Sequence, residues 1–145
     1  MPPALSAQRI VQALQPMSIY WFVDHTSTPG FYWHGAFTTI HCAGENGQIL
    51  SFQSESSWTA PVSELHAIRD RIEHWHLEHS WPRGFYSITD EGGVRVCADY
   101  SVDLSAGVTD EQLTVHVRCA IGTLLDFFAE FRRHPADPPP LGGTT

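Results

Sequence analysis

From Val94 to Leu104 every even-numbered position is apolar (Val94, Val96, Ala98, Tyr100, Val102, Leu104), while the odd ones run Arg95, Cys97, Asp99, Ser101, Asp103. A helix would scatter such a set around its circumference, whereas a strand sends alternate side chains to opposite faces. The pattern therefore predicts a strand with one face on a core and the other toward water. After Ser105-Ala106-Gly107 comes Thr109-Asp110-Glu111-Gln112. There the Thr109 hydroxyl can accept from the Gln112 N–H and the Gln112 side chain can reach back, a capping box that opens a helix. That helix carries Leu113, Val117, Ala120, Ile121, Leu124, Phe127, Phe128 and Phe131, apolar on two faces, and ends at His134-Pro135.

The same reading extends upstream. Ser6 can cap a short helix whose Ile10, Val11 and Leu14 lie three and four apart, ending near Pro16. Ser18 to Asp24 is β-branched and aromatic on both faces, which suits a central strand covered on two sides or one facing a partner subunit. Phe31 to Cys42 reads as one bent strand or two short ones around Gly35, and Gly44-Glu45-Asn46-Gly47 turns it into Ile49–Ser54, a three-stranded meander. Leu65, Ile68, Ile72, Trp75 and His79 then recur at helical spacing up to a break at Pro82. Phe85–Thr89 is joined to the alternating strand by the hairpin Asp90-Glu91-Gly92-Gly93. The order α-β-β-β-α-β-β-α, with local hairpins and segregated helices, predicts an α+β fold: an antiparallel sheet with helices packed on it. Residues 1–134 form its single domain, and 135–145 are a disordered tail rich in proline and glycine.

Length and composition narrow the function classes. At 145 residues a chain can bury a real core without staples. A net charge of -8 repels phosphate backbones, which disfavours nucleic acid. The chain contains no lysine, which excludes a P-loop lysine, a Schiff-base nucleophile and a lysine general base. Cys42, Cys97 and Cys119 are odd in number and far from CxxC spacing, so neither a disulfide framework nor a thiolate zinc site is expected. No apolar run approaches the roughly 18–20 residues of a membrane helix, and no signal peptide is visible; the expectation is a cytoplasmic protein without a membrane partner.

With the order assembled, local patterns gain meaning: the Trp-rich first meander, Trp75 followed by Trp81-Pro82, Val94-Arg95-Val96 through Asp103-Leu104, Gly107-Val108-Thr109-Asp110-Glu111-Gln112-Leu113, and Arg118-Cys119-Ala120-Ile121-Gly122-Thr123. Together they resemble the YbjN family, the bacterial sensory transduction regulators, in its actinobacterial form. The resemblance spans residues 6 to 133 and is strongest over 81 to 131. It implies a type III secretion chaperone-like fold and an α+β homodimer without a catalytic site, associated with bacterial regulation and stress responses. Where the family carries asparagines two before and one after the tryptophan of the second helix, this chain has Glu73 and His76.

Candidate chemistry is weighed residue by residue. His74, His76 and His79, with His66 upstream, suggest metal, yet only His76 and His79 share a face, His74 being rotated by about 200° from His76. A three-ligand site would need His25, His34, His41 or a carboxylate from the sheet. Asp99 and Asp103 share a strand face roughly 13 Å apart, too far for a shared-proton dyad. The three cysteines lack a cationic neighbourhood, and no cofactor or metal is expected. The aromatics are more suggestive. Trp21, Trp33, Trp58, Trp75 and Trp81, with Tyr20, Phe22, Phe31 and Tyr32, exceed what one face of a small sheet needs, and tryptophan is enriched at binding hot spots. Core packing accounts for them as well, since each ring also lies on an apolar stripe of its own element; beyond that, Tyr20, Trp21, Phe22, Trp33, Phe127 and Phe128 are the candidate dimer or protein-binding surface. The expectation is a non-enzymatic regulatory or chaperone-like homodimer that binds another polypeptide. The rival is a small-molecule or metal-binding enzyme built on the histidines.

Overall fold

The computed structural model describes residues 2–17, 21–33 and 35–132, without the side chains of residues 33 and 132. Helix α1 (Ala7–Leu14) opens on Ser6, whose hydroxyl accepts from the Arg9 N–H at 3.2 Å. Four strands follow: β1 (Trp21–Val23), β2 (Pro29–Trp33), β3 (Ala36–Ala43) and β4 (Ile49–Ser56). A 3₁₀ turn at Val62–Glu64 leads into α2 (Leu65–Glu78), then come β5 (Arg83–Ile88), β6 (Val94–Asp103) and α3 (Asp110–Arg132). The strands form one sheet in the order β1-β2-β3-β4-β6-β5, antiparallel throughout.

The architecture is α+β. The segment 31–42 divides at Gly35, whose φ of 84° suits the reversal, into β2 and β3, so the first sheet unit has four strands rather than three. Strand β1 lies at the sheet's edge, not its centre; its aromatic residues on both faces answer to two different neighbourhoods described below. The capping box at α3 is formed: Gln112 N–H donates to Thr109 Oγ1 at 3.1 Å and Thr109 N–H to Gln112 Oε1 at 3.0 Å.

All three helices contribute to one core with one face of the sheet, joining Ile10 and Leu14 of α1, Ile72 and Trp75 of α2 and Leu124 of α3 with Phe31, Ile40, Phe52 and Val96 of the strands. Polar side chains of β3 and β4 turned to this side are satisfied: the Thr38 and Ser54 hydroxyls lie 2.6 Å apart, and Ser56 Oγ donates to Trp58 O at 2.7 Å while accepting from Val96 N–H. Phe127 and Phe128, expected on a surface, belong instead to this core, 0% and 2% exposed. Phe127 meets Trp75, Phe128 and Phe131 at ring separations of 5.3, 5.1 and 5.1 Å. The sheet and the other helices use both apolar faces of α3, so that breadth of stripe does not imply a partner subunit.

The N-terminal segment is tied down by Arg9. Its guanidinium donates to Pro3 O and Ala4 O at 3.0 Å each, and across to Val108 O at 2.7 Å and Asp110 Oδ1 at 2.8 Å. Tyr20 and the proline-rich 135–145 lie outside the described residues. Among the described residues no helix is long and apolar enough to cross a membrane.

Candidate binding groove on the open face of the sheet

The sheet's second face turns away from the core, and strand register arranges its side chains in rows. One row runs Tyr32, Phe37, Glu55, Cys97, Phe85, each directly opposite the next on the neighbouring strand. The adjacent row runs Phe22, Gly30, Thr39, Gln53, Asp99, Arg83. Between the aromatic ends of the first row lies a groove of about 440 Å³, lined by Phe37, Thr39, Gln53, Glu55, Phe85, Cys97 and Asp99 together with Ser54 and Ala98.

One wall is an aromatic cluster built around a missing side chain. Phe22 on β1 is paired with Gly30 on β2, and a Cβ at Gly30 would stand 3.0 Å from the Phe22 ring and 2.8 Å from Thr38 O. With only hydrogen there, Phe22 lies across the backbone and stacks on Phe37 at 5.7 Å and 11°, while Tyr32 leans on Phe37 from the other side at 5.6 Å. The opposite wall is Phe85, with the Arg83 guanidinium 5.8 Å from its ring centroid.

The floor is polar, and its charges are engaged with one another. Arg83 grips Asp99 through two nitrogens, Nε to Oδ1 at 3.2 Å and Nη2 to Oδ2, which raises the guanidinium's proton affinity above its ordinary value. Arg95 Nη1 stands 3.8 Å from Glu55 Oε2. Burial pushes the Cys97 thiol up, against a smaller opposing effect of its contact with the Ser87 hydroxyl, so it stays protonated and weakly nucleophilic at neutral pH. Cys42 is raised by burial alone, and Cys119 is exposed. What the groove offers is therefore adhesion: two aromatic walls and a floor of amide, hydroxyl and paired charges.

The expected surface residues scatter around this site. Phe22 joins its aromatic wall. Trp21, next to it on β1, points the other way and packs half-buried against the core. Trp33 sits opposite Ala36 at the β2–β3 hairpin. The histidines disperse. His76 Nε2 accepts from the Gly84 N–H at 2.9 Å, His79 stacks on Trp75 at 3.6 Å, and His66 and His74 face Asp70 and Glu78 at i+4. His41 Nε2 lies 2.8 Å from Thr39 Oγ1, and His34 is outside the described residues. Among the described residues no three His, Cys, Asp or Glu groups gather in a way that would hold a metal ion. Asp103 accepts from Ser105 N–H at 2.9 Å, far from the use Asp99 finds.

Phe37, Gln53, Glu55 and Phe85 were not singled out from the sequence. Alternation along β6 places Cys97 and Asp99 on the outward face, but the groove exists only once four strands are in register. The comparisons agree with this architecture. A family model described as "Putative bacterial sensory transduction regulator", YbjN, matches residues 31–133, more than half of the chain. The chain belongs to the YbjN family. The crystal structure titled "Crystal structure of YbjN, a putative transcription regulator from E. coli" superposes with a TM-score of 0.76 at 14% identity, covering 93% of this chain and 97% of that one. At that identity the likeness speaks for the fold. No curated protein matches the sequence. After the α2 tryptophan, His76 supplies the acceptor for the first amide of β5 that points outward from the sheet.

Proposed function

We propose that this YbjN-family chain is a non-enzymatic regulatory module that binds an extended segment of another polypeptide in the groove between Phe37 and Phe85, in a chaperone-like manner and as a homodimer. The actinobacterial form of the family and its type III secretion chaperone-like fold are part of the same reading. The observation that carries it is the groove's composition. Phe37 and Phe85 face each other across Glu55 and Cys97, with Thr39, Gln53 and Asp99 in the row alongside, a lining that suits apolar side chains between the walls and a polar backbone along the floor. Its ionisable groups are held in the Arg83–Asp99 and Arg95–Glu55 pairs and a thiol made less acidic by burial, which favours binding over turnover. The dispersal of the histidines gives the enzyme alternative no support.

Panning a library of flexible peptides against the purified chain, followed by anisotropy titration of the enriched sequences, tests this. Phe85→Ser and Phe37→Glu should each weaken binding at least about tenfold, a loss of roughly 1.4 kcal/mol. Enrichment that survives both substitutions would move the site elsewhere, and absence of any enriched sequence would overturn polypeptide binding.

A further inference from the structure

Strand β5 ends the sheet, hydrogen-bonded to β6 on one side only. In an antiparallel ladder successive residues direct their backbone groups alternately to the two sides. The Gly84 N–H is turned away from β6, since it meets His76 Nε2, whereas Thr89 N–H donates to Gly93 O within the β5–β6 hairpin. By alternation Tyr86 and Ile88 turn their N–H and C=O groups outward, and among the described residues nothing meets them. The edge is lightly protected: β5 contains neither lysine nor proline, its one charged residue, Arg83, is held by Asp99, α2 reaches it through His76 at Gly84, and Phe85, Tyr86 and Ile88 are 43%, 38% and 49% exposed.

Resting on the homodimer reading, we propose that a second copy of this chain covers this edge, the two β5 strands pairing antiparallel about a two-fold axis at Ser87. This register uses the available groups and no others. Tyr86 of one copy exchanges both backbone hydrogen bonds with Ile88 of the other, and the reverse, while the His76–Gly84 bond of each copy is kept. The side chains are self-complementary too. Tyr86 covers the partner's Ile88 on the helix side, the small Ser87 meets its own copy on the open face, and Phe85 lies beside the partner's Thr89. The charges also agree. An antiparallel pairing brings the Arg83 end of one β5 toward the partner's acidic Asp90-Glu91 turn, whereas a parallel arrangement would bring like charges together. The dyad of an antiparallel ladder is perpendicular to the sheet, so the two open faces become one surface of twelve strands. Each groove's Phe85 wall is then extended by the partner's β5.

Sedimentation equilibrium across the micromolar range tests the proposal with two variants chosen to spare the fold. Ser87→Glu places a carboxylate beside Arg95, its neighbour on β6, within one chain but against its own copy across the dyad. Ile88→Pro removes an outward N–H that the β6 ladder does not use. The unmodified chain should dimerise, and each variant should weaken the dimer at least about tenfold while remaining folded by circular dichroism. A dimer unchanged by both variants would overturn the β5 contact and leave the homodimer standing. A monomer at every concentration would overturn both, and neither result bears on peptide binding in the groove.

Discussion

On one side of β6, Val94, Val96 and Ala98 are at most 1% exposed and share the core with the helices. On the other side of the same strand, Arg95, Cys97 and Asp99 form part of an outward-facing floor of paired charges and a buried thiol. The two faces are built by different means. The core face is filled by shape, with aliphatic and aromatic side chains drawn from every helix, and its loss is felt throughout the molecule. The open face is organised by register, each side chain taking its meaning from the residue opposite on the next strand. A two-layer protein can in this way keep stability on one side of a sheet and recognition on the other.

The sharpest test of that contrast compares two phenylalanines. Phe127→Ala should cost about 3–5 kcal/mol in a urea denaturation, because the vacated space is walled by Trp75, Phe128 and Phe131. Phe85→Ser, at an exposed position of the open face, should cost about 0.5 kcal/mol of stability while weakening groove binding at least about tenfold. Equal losses would mean that the two faces share the work of stability.

Thr109→Ala comes next. Removing the hydroxyl that caps α3 should lower stability by about 1 kcal/mol. Peptide affinity of the folded protein should stay the same, since α3 packs on the core side alone. A change in affinity would couple the faces.

The smallest effect is kinetic. In labelling with an aromatic disulfide reagent, Cys119 should react first, the half-buried Cys42 more slowly and Cys97 slowest, because burial raises both thiols and covers Cys97. If Cys97 reacted as fast as Cys119, the groove floor would be open to bulk water rather than covered by its walls.

Local periodicity made much of the fold legible. The period-two run of β6 and the Thr109–Gln112 box depend on residues at most a few positions apart, so each is written in one stretch of chain. The fate of Phe127 and Phe128 was not legible in the same way. A stripe too wide for one contact reads as spare surface until the sheet, α1 and α2 are known to surround it. The groove was hidden for a related reason. Phe37, Glu55, Cys97 and Phe85 come from four strands, and only register makes them neighbours. β1 misled because aromatic residues on both faces suit an edge strand with Trp21 on the core and Phe22 over Gly30 as well as they suit a central one.

The clasp made by Arg9 also sets an order of events. Its partners Pro3 and Ala4 are made with it, but Val108 and Asp110 lie about a hundred residues further along the chain. During synthesis α1 therefore emerges long before the carbonyl that Arg9 will hold, while β2 and β3, on which it also packs, follow it closely. The clasp itself closes only when the start of α3 is in place, which ties the docking of α1 to that of α3.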